Sequence, residues 1–375
     1  MVKIRTQLPR GPVLPHHVQN SKSTGFTLIE RVAKLVIKTI MNFWYMCGVA
    51  VLTIFLLYQI NGHLSIGVLL VFAITALLYN ASDLLLYHPD QPPHSRFFVE
   101  SPRMYGLSLY ENIFIRSKDG VRVNMILLKQ PENYCQLVPT IVYLHGNAGN
   151  IGHRLQNAKG LFTQCGCNVL LLEWRGYGRS EGVPSEEGIY HDAQAAIDLL
   201  LQRPDIDRKK LIVFGRSLGG AVAIDLSARP YYCDKILLTV VENTFTSIPD
   251  MGSIMLKSSW IRCLPLWCFK NLYHSKLKIS KVKTPTLFIS GLADHLVPPE
   301  MIRELYELSG SSIKRLLTFE GGTHNETWMS PDYYLKINNF LDDTIFLMEE
   351  LRRSQPHSSA DIFESPPADD DVFVL

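Results

Sequence analysis

A serine flanked by glycines carries the strongest chemical signal in this sequence. The segment Gly-Arg-Ser-Leu-Gly at residues 215–219 follows a predicted strand at 211–214 and precedes a predicted helix at 221–228. Glycines tolerate the sharp turn that exposes a serine hydroxyl between a strand and a helix. A glycine-rich turn that serves packing alone is the alternative. The combination of strand, turn and helix favours Ser217 as a nucleophile.

A serine hydroxyl needs a base, and the base needs an acid that orients it. Asp294 lies just past one predicted strand, and His324 lies just past the last one. The carboxyl ends of parallel strands meet at one edge of a sheet, and the chain order Ser, acid, His suits this arrangement. Glu242 ends the preceding predicted strand and is the rival acid. We predict Ser217, Asp294 and His324 as the catalytic residues and prefer Asp294 over Glu242.

The loop at residues 143–150, Tyr-Leu-His-Gly-Asn-Ala-Gly-Asn, could receive the negative charge that such a reaction develops. Its glycines free the main chain to turn N–H groups inward, and two amide donors are the usual provision for an oxyanion. We assign the donors to Leu218 and Asn147, with Ala148 as an open alternative to Asn147. His145 is expected to organise the loop. A phosphate-binding loop is disfavoured because no Gly-Lys-Ser/Thr follows.

Short apolar strands alternate with helical stretches beyond residue 89, which predicts an α/β fold. The Asp-Gly step at 119–120 favours a hairpin, so we expect a mostly parallel sheet with an antiparallel start. The predicted strands are 113–116, 121–127, 140–144, 168–173, 211–214, 236–241, 286–290 and 316–319. We place this domain at 105–353. A short helical cap at 243–284 has an apolar face that suits acyl chains or a bilayer surface, although ordinary lid packing explains it equally well.

The N-terminal region predicts a membrane anchor. Residues 39–60 carry no formal charge and would form a helix of about 33 Å, enough to cross a bilayer. The basic arm at 1–38 indicates a cytosolic N-terminus. With one span the protein is a single-pass type II membrane protein, which is the preferred topology. A second apolar stretch at 64–86 is a possible second span, which would return the catalytic domain to the cytosol.

Composition excludes several function classes. The formal net charge of +2 gives no electrostatic footprint for nucleic acid along the whole chain. Seven irregularly spaced cysteines indicate neither a disulfide scaffold nor a zinc site, and we predict no metal and no organic cofactor. Residues 354–375 contain five acids and no Lys or Arg, which is typical of a disordered tail.

Four strings give the sequence a family resemblance. They are YLHGNAGNIGHR from residue 143, WRGYGRSEG from 174, FGRSLGGAVAI from 214 and GTHNETW from 322. Together they resemble a membrane-anchored α/β-hydrolase of the kind called alpha/beta-hydrolase domain-containing proteins, over nearly the whole chain from the anchor to about residue 351. The resemblance implies a charge-relay set at Ser217, Asp294 and His324, and a single-pass type II protein with an N-terminal signal anchor.

The expected activity is cleavage of an ester or thioester, of a lipid or an acylated protein, through a Ser217 acyl-enzyme at a membrane. A depalmitoylase-like role would suit an anchor and an apolar cap, while a peptidase would use the same machinery. The alternative is a catalytically silent, membrane-tethered scaffold that binds a partner through its tail. The terminal Phe-Val-Leu at 373–375 loosely resembles a ligand that adds a strand to a sheet edge.

Overall fold

The computed structural model describes residues 26–59, 62–354 and 373–374. The chain divides into two compact units, Met1–Asn80 and Ala81–Leu375. The predicted basic arm lies outside the described residues as far as residue 25, and so does most of the predicted acidic tail.

The described residues of the N-terminal unit lie mainly in two helices. Helix α1 runs from Phe26 to Tyr58, and α2 begins at Gly62 and continues to Leu86, so that its last residues belong to the second unit. Among the described residues, Ile66–Leu86 is the helical stretch long and apolar enough to cross a membrane, with a mean hydropathy of 1.9. The span at 39–60 lies almost entirely within α1 and stays a prediction, as do the number of spans and the topology.

The second unit is built around one sheet. Its strands are β1 Tyr110–Arg116, β2 Arg122–Leu128, β3 Thr140–Leu144, β4 Asn168–Leu172, β5 Leu211–Arg216, β6 Leu238–Glu242, β7 Thr286–Gly291, β8 Lys314–Phe319 and β9 Phe373–Val374. The helices are α3 Glu132–Cys135, α4 Leu155–Gln164, α5 Glu186–Gln202, α6 Leu218–Ala228, α7 Pro230–Cys233, α8 Ile248–Met255, α9 Ser275–Lys278, α10 Pro299–Leu308 and α11 Tyr333–Ser354. Turns of 3₁₀ helix are Pro102–Tyr105, Ile151–Arg154, Ser259–Cys263, Leu266–Cys268, Ile279–Lys281 and Thr327–Met329.

The strand order across the sheet is β8-β7-β6-β5-β3-β4-β2-β1-β9. The pairs from β8 through to β4 are parallel, whereas β2 pairs antiparallel with β4, and β1 pairs antiparallel with both β2 and β9. The predicted fold class, a mostly parallel sheet with an antiparallel start, is therefore confirmed. Each strand predicted from the sequence lies within three residues of an observed one at both ends.

Two apolar layers cover the sheet because alternate side chains of each strand point to opposite faces. Val142 and Leu144 of β3 join the layer formed with α5 and α6, whereas Ile141 and Tyr143 join the layer formed with α4 and α11. Ser185 caps α5, and its side chain accepts a hydrogen bond from the main-chain amide of Gly188, as expected of an N-cap serine. Helices on both faces hold the strand ends rigidly, and those ends carry the predicted site.

The segment between β6 and β7 contains α8, α9 and three of the 3₁₀ turns, in the region predicted as the cap. Among its described residues, the large apolar side chains that lie exposed are Met255, Leu256, Leu266, Trp267 and Leu277. At the other side of the sheet, β9 pairs with β1 through Phe114↔Phe373 and Ile113↔Val374. Residues 373 and 374 thus pair with an edge of the chain's own sheet.

Candidate active site

Ser217 occupies the tight turn between β5 and α6. Its φ of 56° and ψ of −119° are strained for a residue with a side chain. A Cβ at Gly215 would lie 2.1 Å from the carbonyl oxygen of Gly219, and a Cβ at Gly219 would lie 2.0 Å from that of Leu144. Only glycine therefore allows strand and helix to approach this closely. The main-chain amide of Ser217 donates to the Glu242 carbonyl at 2.9 Å, which fixes the turn against the neighbouring strand.

The structure brings the three predicted catalytic side chains into one hydrogen-bonded chain. The Ser217 Oγ lies 3.0 Å from His324 Nε2, and His324 Nδ1 lies 2.7 Å from Asp294 Oδ2. The other oxygen of Asp294 accepts the main-chain amides of Leu296 at 2.8 Å and Val297 at 2.9 Å. All three catalytic side chains are buried, and the carboxylate can turn only with the loss of several hydrogen bonds. The arrangement is that of a nucleophile, a base and an orienting acid.

Asn243 is a positioning residue that the sequence analysis missed. Its Nδ2 donates to the carbonyls of Thr323 and His324, each at 3.2 Å, and to Thr327 Oγ1 at 3.0 Å. Its Oδ1 accepts the amide of Gly291 at 2.8 Å. One buried amide therefore ties the histidine loop to the end of β7, just before the aspartate loop. Its place immediately after β6, at the edge where the other site residues gather, was the signal available in the sequence.

Glu242 is buried beneath the site, but it does not contact the histidine as the orienting acid. Its Oε2 accepts the hydroxyl of Tyr333, and its Oε1 has no hydrogen-bond partner within the described part of the chain. Burial raises the pKa of the Glu242 carboxyl. His324 Nδ1 contacts Asp294 instead, which is the acid that the sequence analysis preferred over Glu242.

The predicted oxyanion loop lies against the nucleophile. A Cβ at Gly146 would be 3.5 Å from Ser217 Cβ, so the main chain passes within van der Waals distance of the serine. Leu218 is the first residue of α6, where helix amides face the turn. The main-chain N–H of Asn147 has no acceptor among the residues that the structure describes, whereas its carbonyl and its side chain both have partners. Leu218 directly follows Ser217 in the chain, and Asn147 directly follows Gly146, which lies beside the serine.

His145 is held inside the domain behind this loop. Its Nδ1 lies 2.8 Å from the Gly146 carbonyl, its Nε2 lies 3.2 Å from Glu173 Oε1, and its carbonyl accepts the Trp174 indole N–H at 3.0 Å. Burial lowers the pKa of His145 and raises that of Glu173 to about 8, so both groups favour the neutral form. The second oxygen of Glu173 accepts the amide of Ile151 at 3.1 Å. The pair braces both ends of the loop.

No group of three or more His, Cys, Asp or Glu side chains in the described ranges is placed to hold a metal ion. The three side chains at Ser217, His324 and Asp294 form an arrangement that can carry out acyl transfer to a serine followed by transfer to water.

Comparisons with known proteins agree with this geometry. Residues 137–276 match the family model described as serine aminopeptidase, S33. The chain is 36% identical over 305 residues to protein bem46 of Schizosaccharomyces pombe, which covers 79% of this chain and 97% of that protein. It is 39% identical over 296 residues to the alpha/beta hydrolase domain-containing protein WAV2 of Arabidopsis thaliana, covering 76% and 92%. An uncharacterized membrane protein of Saccharomyces cerevisiae, YNL320W, is 34% identical over 276 residues, covering 72% and 93%.

Solved structures show the same fold at lower identity. The Pyrococcus furiosus esterase Pf2001 superposes with a TM-score of 0.55 at 20% identity, covering 69% of this chain and 97% of that one. The level of identity to bem46 and WAV2, over most of each chain, goes further than a shared fold. The chain belongs to the family of alpha/beta-hydrolase domain proteins that includes these two relatives, and it is a hydrolase.

Proposed function

We propose that the protein is a serine hydrolase that cleaves an ester or thioester, in a lipid or an acylated protein, at a membrane. The observation that carries this proposal is the continuous chain from Ser217 Oγ through His324 to Asp294, at 3.0 Å and 2.7 Å. A serine hydroxyl 3 Å from an imidazole that is itself oriented by a buried carboxylate is an activated nucleophile.

The mechanism follows from these contacts. His324 Nε2 takes the proton of Ser217 as its oxygen attacks the acyl carbon, and Asp294 stabilises the imidazolium that results. The amides of Leu218 and Asn147 receive the oxyanion of the tetrahedral intermediate. Collapse of the intermediate breaks the bond to the leaving alcohol or thiol, which takes the proton from His324, and leaves an acyl group on Ser217. His324 then deprotonates a water molecule, which attacks the acyl carbon. The acid is released, and Ser217 takes the proton back from His324.

A membrane substrate is supported by the apolar stretch Ile66–Leu86, which is long enough to cross a bilayer. The carbonyl of Leu86, which lies in the second unit, accepts a hydrogen bond at 2.9 Å from the side chain of Asn147. The residue that ends the apolar stretch therefore contacts the predicted oxyanion loop. YNL320W, a relative, is named a membrane protein. These observations support lipid or acyl-protein substrates that approach from the membrane.

Labelling with a fluorophosphonate tests the serine-hydrolase proposal. Full-length wild-type protein in membranes should label, and the Ser217→Ala variant should not. Equal labelling of both, or labelling of neither, would contradict the proposal and favour the silent scaffold. A panel of fatty-acyl esters, fatty-acyl thioesters and aminoacyl amides, each assayed with wild type and Ser217→Ala, then separates the esterase, thioesterase and peptidase forms of the activity.

Topology is a separate part of the proposal, with the single-pass type II form preferred. Protease added to sealed microsomes should leave the hydrolase domain intact if one span delivers it to the lumen. Digestion of the domain in intact vesicles would rule out a lumenal domain, as the two-span hairpin predicts.

A further inference from the structure

The segment that follows α2 builds on the predicted oxyanion loop. We call residues 83–91 the exit segment because they join α2 to the hydrolase domain. Asn147 Nδ2 donates to the Leu86 carbonyl at 2.9 Å, and the His88 amide donates to the Asn147 carbonyl at 2.9 Å. Further along, the Gly149 amide donates to the Gln91 carbonyl at 2.6 Å. The exit segment thus runs beside the loop like a short parallel strand, with a bridge between His88 and Ala148.

Tyr177 joins the two segments. Its hydroxyl donates to the Asn147 carbonyl at 2.7 Å and accepts the His88 amide at 3.1 Å. The Tyr177 side chain is fully buried, and its ring packs edge-on against His145 with centroids 5.5 Å apart. The Asn147 carbonyl and its side-chain Nδ2 are thus held by the exit segment or by the tyrosine that binds it.

The exit segment is itself fastened on its other side. Asp83 pairs with Lys270, and its second oxygen accepts Asn271 Nδ2 at 2.8 Å. The buried hydroxyl of Tyr87 donates to Asn271 Oδ1 at 3.0 Å and lies 2.8 Å from that of Tyr273. The residues that bind the exit segment here belong to the region between β6 and β7. The segment therefore connects that region to the loop beside Ser217.

We infer that the exit segment is a positioning element for catalysis: it sets the direction of the Asn147 amide, so that the link between anchor and domain forms part of the oxyanion site. An oxyanion donor acts only when it is aimed at the developing charge, and a shift of about 1 Å can cost two orders of magnitude in rate. If hydrogen bonds within the oxyanion loop were enough to hold it, the loop would not need the exit segment. This inference rests on the proposed serine-hydrolase function.

The test uses full-length protein in detergent and two variants that each remove a bond to the exit segment. Tyr177→Phe deletes the shared hydroxyl, and Asn147→Ala deletes the amide side chain while keeping the main-chain N–H. Tyr232→Phe is the matched control, because it removes a hydroxyl that bonds Asp198 at 3.0 Å, and its side chain is also buried. The kinetics use a soluble ester, and kcat is counted per fluorophosphonate-labelled site.

We expect both variants to lower kcat by about ten- to a hundredfold with KM within about twofold, because a misdirected donor weakens binding of the transition state rather than of the substrate. The control should keep both constants within about twofold. Merely structural damage would instead reduce the number of labelled sites and leave kcat per site unchanged.

Hydrogen exchange of the main-chain amides at 145–150 tests whether the exit segment positions the loop, and it requires no measurement of activity. Exchange there should be faster in Tyr177→Phe and Asn147→Ala than in Tyr232→Phe. Equal exchange in all three overturns the inference, whatever happens to kcat. If wild type neither labels nor turns over, the proposed function fails, and the exchange experiment still tells whether the exit segment holds the loop.

Discussion

Replacing Asp294 with asparagine should abolish most of the activity while leaving the fold intact, and the reason lies in two fixed amides. Oδ1 of Asp294 accepts the amides of Leu296 and Val297, so the oxygen of an asparagine must take this position. The NH₂ group then faces His324 Nδ1, where Oδ2 stood at 2.7 Å. Because the NH₂ group is a donor, the imidazole must present Nδ1 as an acceptor and carry its proton on Nε2. A protonated Nε2 donates to Ser217 and is unable to take its proton.

The size of this effect follows from the role of the tautomer. In chymotrypsin-type proteases, which use the same three kinds of side chain, the equivalent change lowers kcat by about 10⁴. A factor of 10⁴ corresponds to about 5.4 kcal/mol of transition-state stabilisation. We expect a loss of the same order here because two main-chain amides fix the acid. The melting temperature should change little, since the substitution keeps the shape of the side chain.

The assay is turnover of a soluble ester by full-length protein, with Glu242→Gln as the matched control. Glu242 is the other buried carboxylate at this sheet edge, and glutamine can still accept the Tyr333 hydroxyl. Glu242→Gln should keep kcat within about tenfold of wild type, because it leaves the His324 tautomer alone. The reasoning would be refuted if Asp294→Asn stayed near wild-type activity, or if Glu242→Gln caused the larger loss.

Two further predictions concern stability. Ser217→Gly should be more stable than Ser217→Ala by about 1 kcal/mol, because glycine adopts the positive φ of 56° without the strain that alanine retains. Thermal or urea unfolding measures the difference in stability, and equal stability of the two variants would contradict this prediction. Glu173 is neutral when buried, with its pKa raised to about 8, whereas in the unfolded chain it ionises near pH 4.5. Unfolding therefore releases a proton between these values, so wild type should lose a few kcal/mol of stability as the pH rises from about 4.5 to 8. Glu173→Gln should flatten that decline in unfolding experiments, and an unchanged decline would exclude this carboxyl as its source.

The parts of the site that could be predicted from the sequence are those that local geometry dictates. The turn around Ser217 requires glycines at fixed spacing, and Gly215 and Gly219 lie only four positions apart in the chain. Asp294 and His324 end parallel strands, and the chain order alone points to the edge where they meet. The strands could also be predicted from the sequence, because runs of Val, Ile and Leu between turns are typical of buried parallel strands.

The parts that could not be predicted depend on contacts between distant segments. Glu242 and Asp294 both follow strands at the same edge, and only the direction of the His324 ring distinguishes them. Asn243 bonds two loops that lie about 50 and 80 residues further along the chain, which no local pattern reveals. The exit segment is likewise far in sequence from Asn147, since Leu86 and its partner are 61 positions apart. An apolar helix indicates an anchor but says nothing of what its end will bind.

The most direct test of the account is mass spectrometry of the enzyme during turnover. Full-length protein is mixed with a fatty-acyl thioester, quenched in acid and digested, and the peptide that carries Ser217 is weighed. We expect this peptide to carry one acyl group, attached by an ester bond to Ser217. The acylated peptide should appear before the steady state and should be absent from Ser217→Ala. Turnover with no acyl group on Ser217, and with Ser217→Ala as active as wild type, would contradict the central claim.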